Sequence, residues 1–213
     1  MQQLGNPSFE EHLTAASSCF LQAARLQQEG GRLQLAAGLL LELAEALAAL
    51  QRPAEALPVF QQAALLLEGH ALPFLQARLR VADCYIATPD HHNALLVLTE
   101  VANFATEHDP SNLYSAILER VEVLRVLLLL IIQPSQHNTS PQLLEVLERY
   151  RVEEEASPCP HLARDTALLL QSVVLAVEGG EGEALLHLED QLAGGLGDQQ
   201  RRLLRLLVAR HGA

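Results

Sequence analysis

Apolar residues recur at spacings of three and four positions along most of this chain, and glycine, proline or polar residues interrupt the pattern at regular intervals. That spacing places the apolar side chains on one side of an α-helix. No stretch of six residues alternates between apolar and polar positions, as a half-exposed strand would. The pattern predicts an all-α protein, more than about 65% helical, with helices at about residues 7–28, 32–51, 53–68, 72–87, 90–107, 110–132, 141–155, 160–178, 181–193 and 197–211.

The connections between these helices are mostly about two to four residues long, which makes consecutive helices antiparallel. A small, large, small pattern repeats in every second helix at shifts of 40 and 38 residues: Ala16, Phe20, Ala23; Ala56, Phe60, Ala63; and Ala94, Leu98, Val101. Small residues let two helices cross closely, and the pattern resembles the tetratricopeptide (TPR) repeat, whose period is about 34 residues. We therefore expect a TPR-like α-solenoid of about ten antiparallel helices, with an irregular helical bundle as the alternative.

The repeat weakens after residue 107. The chain then divides into TPR-like repeats at 1–107 and a C-terminal helical region at 108–213 that continues the solenoid. The predicted helix at 110–132 ends in VLRVLLLLII, and a helix that is apolar on all sides is buried on all sides. This helix is either the central core helix of the C-terminal half or partly covered by a partner. Leu127 and Leu128 are therefore candidate partner-binding residues as well as candidate core residues.

The chain is acidic and contains no lysine, because 26 Asp and Glu residues oppose 14 arginines and leave a net charge of −12. Such a chain repels phosphate backbones and anionic lipids, which excludes general nucleic-acid binding. The most apolar stretch, 126–132, is far shorter than the roughly 20 residues of a membrane span, and the N-terminal sequence does not resemble a signal peptide. We expect a cytoplasmic or nuclear chain with no membrane insertion.

Negative charge is concentrated between Pro141 and Asp198, where 12 acidic residues oppose three arginines. This acidic segment, 141–198, contains the run Glu153, Glu154 and Glu155 at the end of a predicted helix. One interpretation is a docking surface for a basic partner, since complementary charge steers association. The other is an ordinary solvated helix end. The three glutamates are therefore candidate partner-binding residues.

No motif for catalysis, cofactors or metals stands out. The nine histidines form no HExxH motif and pair with no Cys or Asp at a metal-binding spacing. The three cysteines lie far apart, and there is no GxSxG nucleophile motif. The absence of lysine excludes Schiff-base chemistry and a P-loop lysine. The sequence predicts no catalytic, cofactor-binding or metal-binding residues.

Four stretches resemble one protein family. They are RVEVLRVLLLLIIQP (120–134), LLEVLERY (143–150), LLLQSVVLA (168–176) and LLLELAEALAALQRPAEALPVFQQAALL (39–66). Their residues and order are similar to the forty-kilodalton huntingtin-associated protein family, and the 120–134 stretch is the most specific part. The resemblance runs from about Pro7 to Ala209. Compared with that family, the chain is expected to lack N-terminal helices that include a basic segment, and a proline-rich insertion between the helices at 90–107 and 110–132.

The resemblance implies a TPR-like solenoid without catalytic activity. It implies a constitutive partner of huntingtin, a giant HEAT-repeat scaffold, that lies in the cleft between huntingtin's helical domains and is stabilised by it. It also implies a link to early-endosome motility through a Rab GTPase, with a cytoplasmic, nuclear and early-endosomal location. The alternative is a generic TPR module that binds short peptide tails. Such a module needs a cationic groove, and Arg78 and Arg80 are the only close cationic pair in the repeats.

Overall fold

A computed structural model describes residues 8–108, 111–133, 141–151, 159–192 and 194–211 of the chain. Helices make up 83% of these residues, and no strand occurs among them, which confirms the all-α prediction. The ten helices are α1 (Phe9–Glu29), α2 (Leu33–Ala49), α3 (Pro53–Leu66), α4 (Ala71–Ala87), α5 (His91–Glu107), α6 (Ser115–Ile132), α7 (Pro141–Arg151), α8 (Arg164–Gly179), α9 (Gly182–Leu192) and α10 (Asp198–His211).

Local side chains set several helix boundaries. Ser8 caps α1: its hydroxyl accepts a hydrogen bond from the backbone N–H of Glu11, whose carboxylate accepts one from the Ser8 N–H. This reciprocal arrangement satisfies two N–H groups that a helix start leaves unpaired.

The predicted start of the sixth helix at 110 is wrong, because Asn112 has a φ of 55° and the helix begins only at Ser115. The eighth helix likewise begins at Arg164 rather than 160, after a turn at 159–162.

The first compact unit, 1–89, contains α1 to α4, and each helix packs on the next along the chain. Its core consists of aliphatic residues of α2 and α4 and the small, large, small triplet of α3. Ala56 and Ala63 are fully buried and Phe60 is 1% exposed, as the repeat pattern predicted. The equivalent triplet of α1 differs, since Ala16 is exposed and Phe20 only half-buried. The pattern thus marks a buried helix crossing only where helices lie on both sides.

The second compact unit, 90–213, is built around α6, which packs against α5, α7, α8 and α10. All eleven residues from Val121 to Ile131 are buried. The repeat pattern placed a division at residue 107, whereas the packing assigns α5 to the second unit because α5 lies against α6. The triplet of α5, Ala94, Leu98 and Val101, is also buried.

Candidate partner-binding surfaces

The two leucines proposed as partner contacts lie in the core of the second unit. Leu127 is 1% exposed and Leu128 is fully buried, and the chain's own helices cover them. The structure therefore supports the core interpretation of this helix and offers no surface at these two positions. The other candidates, Glu153, Glu154 and Glu155, lie outside the described residues.

A buried polar cluster interrupts the apolar surface of α6. The carboxylate of Glu122, 5% exposed, accepts a hydrogen bond of 3.3 Å from the hydroxyl of Tyr150 on α7. It also pairs with the guanidinium of Arg125 at 3.4 Å and with that of Arg149 at 3.5 Å. We call these four residues the Glu122 cluster. It links α7 to α6, and removing Glu122 would leave the buried guanidinium of Arg125 without a compensating charge.

Burial shifts the pKa of two residues of the Glu122 cluster, Tyr150 and Arg125. Burial raises the pKa of Tyr150 well above its usual range, and the Glu122 carboxylate raises it further, so the phenol remains a hydrogen-bond donor. Burial also lowers the pKa of Arg125, while the same carboxylate opposes that shift. An arginine stays charged at neutral pH even so. Apolar periodicity does not reveal this cluster; its only signal in the sequence is Glu122 and Arg125, one turn apart, inside an otherwise apolar run.

An open groove of about 480 Å³ lies in the first unit, along one side of α1. The α1 wall includes Leu13, Ser17, Ser18 and Leu21, and the facing wall includes Arg52 and Glu55 at the start of α3. Arg52 donates hydrogen bonds to the carboxylates of Glu10 and Glu55. Both carboxylates are more than half exposed. Because two carboxylates surround one guanidinium, this end of the groove carries one net negative charge. The groove cannot be recognised from the sequence pattern, because its walls come from helices separated by α2.

The cationic pair Arg78 and Arg80 does not form an open carboxylate clamp. Arg80 pairs with Glu45 at 3.3 Å and with Asp83 at 3.8 Å. Arg78 is half-buried, and burial lowers its pKa. Arg80 is therefore paired within the first unit and Arg78 is half-buried, which weighs against the peptide-tail module.

Two of the three thiols are buried. Burial is the main cause that raises the pKa of Cys84 to about 11, and it also raises the pKa of Cys159. Thiols held in the protonated form are poor nucleophiles and poor metal ligands. Cys19 is exposed on α1. Within the described ranges, no group of three His, Cys, Asp or Glu side chains is placed to hold a metal ion.

Large apolar side chains are exposed on both units. Fourteen in the described part of the chain are at least 42% exposed, including Leu65 on α3 and Leu168 and Leu175 on α8. Single exposed leucines are normal on soluble proteins. Leu168 and Leu175 are seven residues apart and therefore share one side of α8. None of the described helices combines the length and apolar character needed to cross a membrane.

The chain is similar to two curated proteins that share a name. It is 31% identical to the 40-kDa huntingtin-associated protein of Rattus norvegicus, over 97% of this chain and 70% of the relative. The Mus musculus protein of the same name is 30% identical over the same shares. The chain belongs to the 40-kDa huntingtin-associated protein family. No family model matches it. Because the alignments span 265 residues and the chain has 213, these family members contain residues within the aligned region that this chain lacks.

Proposed function

We propose that this chain is a non-catalytic adaptor that binds huntingtin and is stabilised by it. The observation that carries the proposal is the 31% identity, over 97% of the chain, to a rat protein whose name records association with huntingtin. The relationship covers both compact units. In this proposal the ten helices form a TPR-like α-solenoid.

Two structural features support a binding role, and a third weighs against catalysis by the buried thiols. The described residues are 83% helical, and helical arrays present extended surfaces to protein partners. Exposed leucines occur on both units and provide apolar anchors for an interface. The buried thiols, with raised pKa values, are unsuited to nucleophilic catalysis.

Co-expression with huntingtin tests the proposal. We expect the soluble yield of the chain to rise when huntingtin is co-expressed, and the two proteins to elute together in size-exclusion chromatography. An obligate interface of this kind buries more than about 2,000 Å² in total. An unrelated HEAT-repeat protein of similar length serves as the control. A monodisperse monomer that never elutes with huntingtin would contradict the proposal.

The family resemblance extends the proposal to the cell. It supports a cytoplasmic, nuclear and early-endosomal location and a contribution to early-endosome motility through a Rab GTPase. Imaging a fluorescently tagged chain in cells with and without huntingtin tests this extension. We expect endosomal signal only when huntingtin is present, because the chain acts as an adaptor bound to the larger scaffold. Endosomal signal that is unchanged without huntingtin would contradict it.

A further inference from the structure

We infer that the groove along α1 binds an amphipathic helix of huntingtin that carries apolar residues and at least one cationic residue. This inference rests on the proposed function and names the surface and the chemistry of one contact. It concerns the first unit alone, where α1 and the start of α3 form both walls.

The dimensions of the groove favour a polypeptide over a small molecule. Its lining extends along α1 from Leu13 to Arg25, which is about 18 Å at the helical rise of about 1.5 Å per residue. Among the described residues, the facing wall consists of Arg52 and Glu55, so most of the length is open there. Small-molecule pockets usually enclose most of their ligand. An open groove of this length is better filled by about three turns of a helix.

The side chains lining α1 suit a packed helix. Leu13 and Leu21 are eight residues apart and provide apolar contacts on the same side of α1, and Leu21 is 42% exposed. Ser17 and Ser18 lie between them and are short, which lets another helix approach closely. The distance between packed helices depends on the size of the side chains at the contact. The groove therefore fits a helix with large apolar residues, which would fill the space above the serines.

The charge at the two ends specifies the partner further. Arg52 lies between the carboxylates of Glu10 and Glu55, so this trio carries one net negative charge. At the other end Arg25 pairs with Glu29 at 3.0 Å, which is neutral overall. A lysine or arginine near one end of the bound helix can pair with the exposed carboxylates beside Arg52. Opposite charge at an interface rim mainly increases the association rate.

Affinity measurements with full-length huntingtin and the full chain test the apolar part. We expect Leu21→Glu to weaken binding about tenfold or more, as loss of a central anchor does. Leu65→Glu is the matched control, because Leu65 is an exposed leucine of the same unit outside the groove; we expect a change below about threefold. Wild-type affinity for Leu21→Glu, or equal losses in both variants, overturns the inference. If the wild-type chain itself does not bind huntingtin, the proposed function fails as well.

Charge reversal and cross-linking provide independent tests. The double variant Glu10→Gln, Glu55→Gln converts the net charge of the trio from −1 to +1, and we expect association to be slower at low salt but not at high salt. Unchanged or faster association overturns the cationic assignment. A photoreactive residue at Gln22, in the groove lining, is expected to cross-link to a huntingtin helix that contains Lys or Arg. This cross-linking experiment does not require the Leu21→Glu variant to fold. Cross-linking to a second copy of the chain, to an acidic segment or to nothing overturns the inference.

Discussion

Replacement of Glu122 by glutamine should destabilise the second unit by about 3 kcal/mol, at the lower end of the usual cost of breaking a buried ion pair. The substitution preserves volume but removes the negative charge that compensates Arg125, whose side chain is only 10% exposed. Arg149 contributes little to this cost, because its side chain is 39% exposed and water solvates it. The hydroxyl of Tyr150 can still donate to the amide oxygen of glutamine. The uncompensated Arg125 charge is therefore the main cost.

Urea denaturation, followed by circular dichroism at 222 nm, measures the loss. Tyr150→Phe removes a single hydrogen bond to a charged acceptor and should cost roughly 1.5–3 kcal/mol. The double variant Glu122→Gln, Arg125→Met should lose less than the sum of its single variants, because no buried charge is then left alone. The cost of replacing Arg125 is reduced further, because its Nε has no hydrogen-bond partner in the described part of the chain. Arg125→Met therefore also removes a buried, unpaired donor.

Glu145→Gln is the matched control, since Glu145 is an exposed glutamate on α7 and its replacement should change the free energy of unfolding by less than about 0.5 kcal/mol. The reasoning is refuted if Glu122→Gln lies as close to the wild type as this control does. It is also refuted if the effects of Glu122→Gln and Arg125→Met are strictly additive, because the two charges would then be independent.

Three further predictions concern other parts of the chain. Ala56→Leu should overpack the core by roughly 1–3 kcal/mol and lower the melting temperature, whereas Ala54→Leu at an exposed position should not; equal melting temperatures would contradict the assigned repeat register. Alkylation of the native chain, followed by mass spectrometry, should modify Cys19 well before Cys84, and equally fast alkylation would refute the assigned burial. The free energy of unfolding should also fall as pH rises from about 9 to about 11, because the unfolded state releases the Cys84 proton first. Changing the three glutamates at 153–155 to glutamine should slow association with huntingtin at low salt but not at high salt, and an unchanged rate would identify them as a solvated helix end.

The sequence alone determined the helices and much of the core. Apolar spacing located ten helices because an amphipathic helix needs an apolar residue at nearly every turn. The repeat pattern identified Ala56 and Ala63 as core residues, since only small side chains fit where helices cross closely. Family membership could also be recognised from the sequence, most specifically from the residues at 120–134, and the relatives confirm it.

Local backbone geometry decided what periodicity could not. The apolar pattern extends toward residue 110, yet α6 begins at Ser115 because Asn112 has a left-handed backbone. Likewise, the pattern assigned α1 the same triplet as α3, but Ala16 is exposed. The apolar pattern of a helix shows which of its sides could be buried, whereas burial also requires a neighbouring helix on that side.

Tertiary structure alone decided the roles of individual side chains. The sequence left Leu127 and Leu128 open between core and partner contact, and only the packing of other helices around α6 shows that the chain covers them itself. The pairing of Glu122 with Tyr150 joins residues 28 positions apart, and the groove joins α1 to the start of α3. Sequence periodicity reports the environment along one helix, while such contacts depend on distances between helices that are far apart in the chain.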